Sequence, residues 1–109
     1  MAIRNVVQVG DETLRKKCFA VEKFDEGLWQ LLDDMKDTVR EEEGAGLAAP
    51  QVGVLRRAVV VDVEEGFFEF VNPVIVQSKG EQRGWEGCLS VRGKRGIVTR
   101  PDVVKVEFF

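Results

Sequence analysis

The chain has 109 residues, 44% of them hydrophobic and 32% charged, the proportions of one folded domain and not of a disordered tail. It contains no histidine, so a Ser-His-Asp triad, a Cys-His dyad and an imidazole zinc site are excluded within these residues. A formal charge of -3 and a pI near 5.1 offer no general attraction to phosphate backbones, and no run approaches the ~18 apolar residues that span a bilayer, so neither a nucleic-acid nor a membrane partner is expected.

Met1 to Asn5 leads into mixed polar sequence without the apolar stretch of a signal peptide, and the two cysteines, Cys18 and Cys88, lie far apart. A reducing cytoplasm is the expected compartment. Residues 11–17 run from acids (Asp11, Glu12) to bases (Arg15, Lys16, Lys17), a charge order that suits a helix of one or two turns. Next, Leu28, Leu31, Leu32, Met35 and Val39 recur at three- and four-residue steps, which predicts an amphipathic helix over 25–43. Asp25 is its expected N-cap, and Gly44 is expected to take the left-handed conformation that ends it. Beyond residue 51 the texture becomes β-branched, with strands predicted at 58–63, 67–71 and 74–76. Val104, Val106 and Phe108 alternate with Lys105 and Glu107 in a last, two-faced strand. A helix followed by strands, with no repeat or linker, implies a single α+β domain over 1–109. The apolar end Phe108-Phe109 suggests that something covering the sheet is absent from the sequence, and self-association through an uncovered face is expected.

Gly44-Ala45-Gly46-Leu47-Ala48-Ala49 matches G-x-G-x-x-A, but a nucleotide loop needs a strand before it and a helix after it. Here a helix precedes and Pro50 with a β-branched run follows, so the glycines are read as allowing close approach of backbone to a ligand. Extended to Gly44-Ala45-Gly46-Leu47-Ala48-Ala49-Pro50-Gln51, the segment resembles the G-x-G-L-A-A-x-Q signature of peptide deformylases. Glu86-Gly87-Cys88-Leu89-Ser90 is similar to that family's E-G-C-L-S signature at a similar spacing. Asp11 to Arg15, Asn72-Pro73 and Arg95 to Pro101 extend the likeness over the whole chain, which resembles roughly the first two-thirds to three-quarters of the family's domain. The third signature, a helix bearing H-E-x-x-H, is not among these residues. The resemblance therefore implies an α+β deformylase-like fold, a long N-terminal helix packed on antiparallel strands, truncated before the metal-binding helix.

The resemblance also implies a chemistry: metal-dependent removal of the formyl group from the N-formylmethionine of nascent polypeptides. The divalent ion would be Fe2+, replaceable by Zn2+, Ni2+ or Co2+, and it would lower the pKa of a bound water. Cys88 would be a thiolate ligand, with the Gln51 side-chain amide and the Leu89 backbone N–H stabilising the oxyanion. Ala45 and Gly46 would line one wall of the substrate groove, Glu86 and Gly87 the other, with the groove edge acting as a strand partner for the peptide. Arg92 departs from the proline common there, which affects the groove rim. Lacking two ligands and the general base, the 109 residues alone are expected to hold no metal stably and to be inactive. An inactive peptide-binding module, or a folding fragment, is the alternative.

Each of these residues also has a plainer reading. Cys88 outside its motif would be a small buried hydrophobe, and Cys18 stays one. Gln51 would cap a loop, Glu86 would pair with Arg100, Trp29 and Trp85 would pack, and Arg92, Lys94 and Arg95 would form a solvated turn.

Overall fold

In the computed structural model, which describes residues 2–108, Asp25 caps α1 (Glu26–Glu41) by accepting the Leu28 N–H at 3.1 Å. The helix stays in place because its apolar stripe is buried. Leu28, Leu31, Leu32, Met35 and Val39 are 0–6% exposed, against Leu47, Ala58, Val60 and Val71 from the sheet and Val6 and Val21 from the N-terminal segment. At its C-terminal end the expectation needs correction, because Glu43 (φ 55°) and not Gly44 takes the left-handed conformation. For a side chain with a Cβ this costs about 1–2 kcal/mol. Three backbone bonds hold it there: Glu42 N–H to Thr38 O (3.0 Å), Glu43 N–H to Arg40 O (3.2 Å) and Gly44 N–H to Val39 O (2.9 Å).

The strands are β1 (Gly46–Ala48), β2 (Ala58–Val63), β3 (Gly66–Val71), β4 (Val74–Lys79), β5 (Gln82–Cys88), β6 (Val91–Arg100) and β7 (Val103–Glu107). They form a three-stranded sheet in the order β1-β2-β3 and two ribbons, β4-β7 and β5-β6, all antiparallel. The chain is thus α+β, and the short helix foreseen over 11–17 is a 3-10 turn, Glu12–Arg15, capped by Asp11. Phe108 falls just beyond β7, where its ring meets Phe70 edge-on at 4.6 Å; Phe109 lies outside the described residues. Three strands have no predicted counterpart, β1, β5 and β6; β1 has only three residues, and β5 and β6 are solvent-exposed along most of their length, so no alternation of apolar and polar residues announces them. No helix among the described residues is long and apolar enough to cross a membrane.

A polar clasp ties the N-terminal segment to the back of α1. Buried Asp34 accepts Arg4 Nε at 2.9 Å and Gln30 Nε2 at 2.7 Å, while Thr38 Oγ1 donates to the Asp34 carbonyl at 2.7 Å and accepts the Arg4 N–H at 2.9 Å. Burial pushes the Asp34 carboxyl up, but the hydrogen bonds from Gln30 and Arg4 and the Arg4 charge outweigh it and hold the group below the ordinary carboxylate range.

Two measurements follow from these contacts. A carboxyl depressed in the folded state contributes stability above its unfolded pKa of about 3.9, and that contribution is lost as pH falls through the folded value. Asp34→Asn is therefore expected to cost about 1–3 kcal/mol at neutral pH and to flatten the acid limb of urea-melt stability against pH. Separately, the β4-β7 ribbon leaves Ile75 66%, Val103 57% and Val104 45% exposed. Sedimentation velocity is expected to show concentration-dependent self-association, weakened in the double variant Ile75→Lys, Val103→Lys.

Candidate functional site

The segment after α1 is placed by backbone. Gly46 faces Val61 in the β1-β2 register, and a Cβ there would stand 3.1 Å from the Val60 carbonyl, tighter than an ordinary contact, so glycine eases the close approach of the strands. β1 runs into a 3-10 turn, Ala49–Val52, with Pro50 in its first turn and Gly53 (φ 83°) ending it. This turn aims Gln51. Its Oε1 accepts the Ala48 N–H at 3.0 Å, and its Nε2 donates to Ser90 Oγ at 3.0 Å and lies 3.6 Å from Cys88 Sγ.

Cys88, Leu89 and Ser90 come from the other signature, at the turn between β5 and β6. Leu89 packs against the core, and its Cδ1 sits 2.8 Å from where a Cβ on Gly44 would be. Gly44 thus gives room to the Leu89 side chain and is not the left-handed residue that ends the helix. Ser90 is 3% exposed, and its carbonyl accepts the Val9 N–H at 2.7 Å. The Cys88 thiol is free and exposed, and among the described residues the Leu89 N–H has no intramolecular acceptor.

Ala45, Gly46, Gln51, Gly87, Cys88 and Leu89 all line one cleft of about 740 Å3, whose rim carries Arg92, Lys94 and Arg95. β1 is an edge strand of its sheet on this cleft, its Ala48 N–H taken by Gln51 Oε1. Glu86 stands apart from the cleft lining. Its carboxylate is taken by Arg100, with Nε at 2.8 and 2.7 Å from the two oxygens and Nη2 at 2.7 Å, and the guanidinium holds the Glu86 carboxyl below its usual range. Arg92 pairs with Glu42 at 3.3 Å across the rim. Another cleft, of about 780 Å3 beside Phe19 and Arg56, contains none of the signature residues.

Sequence reasoning missed two contributors. Ser90 carried a signal, since it closes the E-G-C-L-S motif, but its role became visible only once Gln51 was seen bonded to it. Gln8 carried none. As to a metal, the described residues include no group of three or more His, Cys, Asp or Glu able to hold one. A catalytic metal site ordinarily takes three protein ligands, and the single thiol of Cys88 does not fit the ion by itself.

Comparison with known proteins bears on the fold and the family. The family model described as Polypeptide deformylase matches residues 3–109. A peptide deformylase of Caldicellulosiruptor bescii is 58% identical over 107 residues, covering 98% of this chain and 64% of its own length. The chain thus spans just under two-thirds of that relative. Crystal structures of peptide deformylases from Legionella pneumophila (TM-score 0.95, 45% identity, 98% of this chain and 65% of that one) and Thermotoga maritima (TM-score 0.96, 35% identity, 99% and 74%) superpose on it.

Ser90→Ala is expected to release one Gln51 N–H. The Gln51 side-chain NH2 resonances should shift while the α1 amides do not. Gly46→Ala should cost about 1–3 kcal/mol in urea melts, because the Val60 backbone carbonyl, 3.1 Å from the added Cβ, must shift to admit it.

Proposed function

The chain belongs to the peptide deformylase family, and from that footing we propose that its 109 residues form the part that binds the formyl-methionyl end of a nascent polypeptide and supplies one thiol ligand and the oxyanion donors for removal of the formyl group. The observation that carries this reading is the convergence of Gln51 Nε2, Cys88 Sγ and the unpaired Leu89 N–H in one cleft beside an edge strand.

In this reading the peptide lies along β1, its backbone pairing with the outer edge at Gly46, with Ala45 lining the same wall and Gly87 opposite. Such pairing is indifferent to side chains and so suits a substrate whose sequence varies after methionine. The formyl oxygen is set between Gln51 Nε2 and the Leu89 N–H, where negative charge develops as the carbonyl carbon becomes tetrahedral. Gln51 is ready for this because Ala48 holds its Oε1 and Ser90 its Nε2. The long contact to Cys88 Sγ is the one an oxyanion would replace. Collapse of the tetrahedral species releases formate and leaves the methionine amine. A divalent metal, iron or a substitute, supplies an activated water when the full ligand set is present.

The 109 residues hold one of those ligands, and we read them as binding the peptide without turning it over; a peptide-binding module is the second reading that the cleft favours. The compartment proposed is the cytoplasm, where nascent chains are found and where free thiols such as Cys18 and Cys88 persist.

Titration with a formyl-methionyl peptide is expected to give saturable binding with NMR shifts at Gly46, Gln51 and Leu89. No formate release is expected, with or without added Fe2+ or Zn2+. Absence of saturable binding would remove the peptide reading, and formate release abolished by Cys88→Ala would overturn the expected inactivity.

A further inference from the structure

We propose that Gln8 is a positioning residue of the cleft: its side-chain amide pins the turn from Leu89 to Arg92 and so sets where Cys88 Sγ and the Leu89 N–H stand. The consequence for peptide recognition rests on the function proposed above; the mechanical claim does not.

The β5-β6 ladder pairs Gln82 with Arg100 and continues to Gly87 with Arg95, then jumps to Cys88 with Val91. Arg92, Gly93 and Lys94 are left outside it, with Gly93 at φ 74°. A bulge of this kind strips amides of their ladder partners and loosens the hairpin tip that it adjoins. Gln8 repairs the defect from another part of the chain. Its Oε1 accepts the Arg92 N–H at 3.3 Å, and its Nε2 donates to the Leu89 carbonyl at 2.9 Å and to the Val6 carbonyl at 3.2 Å. One half-buried amide thus grips both sides of the turn. The residues flanking Gln8 tie down the same neighbourhood, because the Val7 N–H donates to the Gln51 carbonyl and the Val9 N–H to the Ser90 carbonyl, each at 2.7 Å.

The N-terminal segment is therefore a strap across both signature segments, and among the described residues Gln8 is its only side chain hydrogen-bonded to the hairpin. Without it the one bond that the strap makes to the backbone of the tip would be Val9 N–H to the Ser90 carbonyl, beside the side-chain contacts of Ser90 with Gln51, Arg92 with Glu42 and Leu89 with the core. A turn whose backbone is held by the strap at one residue can pivot about it. The Cys88-Leu89 peptide lies one residue from that pivot, so a small rotation moves the thiol and the donor N–H relative to Gln51.

The test uses the isotopically labelled chain with Gln8→Met, which keeps the bulk and loses both bonds, and Gln8→Glu, which keeps an acceptor for Arg92 but sets a carboxylate against the Leu89 carbonyl. With Gln8→Met, amide exchange at Arg92 is expected to accelerate by about tenfold or more, while Met35 and Val39 exchange as before. The Leu89 and Cys88 resonances should shift, and alkylation by iodoacetamide should change at Cys88 but not at Cys18. With Gln8→Glu, Arg92 should stay protected while Leu89 still shifts. Unchanged Arg92 exchange and Cys88 alkylation in Gln8→Met would overturn the proposal, as would equal acceleration at Met35 and Val39, the sign of general loosening. In a separate arm, Gln8→Met should weaken formyl-methionyl peptide binding about fivefold or more, and unchanged affinity would overturn the role in recognition. If the unmodified chain binds no peptide, the proposed function fails, and the exchange pattern still decides the role of Gln8.

Discussion

Everything in this molecule depends on the burial of the α1 stripe against β1 and β2. Leu32, Met35 and Val39 are at most 1% exposed, and the residues they meet, Leu47 and Val60, are as deeply enclosed. Each such side chain contributes about 1.5–3 kcal/mol by leaving water. The consequence reaches beyond stability. Leu47 lies between Gly46 and Ala48, so the contact that anchors the helix also fixes the strand that borders the cleft and the 3-10 turn that aims Gln51.

The second signature is held differently. β5 and β6 are exposed along most of their length and bury little, so the hairpin is located by what happens at its tip. There Leu89 turns inward over Gly44, Ser90 is enclosed beneath Gln51, and the N-terminal strap bonds to both signature segments. Apolar contact supplies most of the energy, and the hydrogen bonds supply direction. A buried hydroxyl or amide left without its partner would cost about 1–3 kcal/mol, which limits these groups to one arrangement. The Glu86–Arg100 pair on the exposed ribbon carries less weight, because water screens it.

The elements whose burial is one-sided were legible in advance. The helix over 25–43 is found at Glu26–Glu41 with its Asp25 cap, and the strand at 58–63 is found at Ala58–Val63. Strands β5 and β6 were not legible, since residues with solvent on both sides need no alternation. Gly44 shows the same boundary in one residue. Its position after a helix suggested a terminator, yet the left-handed residue is Glu43, and the reason for glycine lies in a leucine far along the chain. Within the site, Gln51, Cys88 and Leu89 stood out through their motifs, whereas Gln8 stood in no pattern.

By itself the sequence determined the α+β class, the apolar stripe, the family likeness and the exclusion of histidine chemistry from these residues, because each depends on residue type or on spacing along one segment. Tertiary structure alone decided that Gln51 meets Ser90, that Glu86 turns to Arg100 instead of the cleft, and that Gln8 reaches a turn more than eighty positions away. Those are contacts between segments that local pattern does not relate. They are chosen when the core closes and each buried polar group must find a partner in whatever chain the fold has brought beside it.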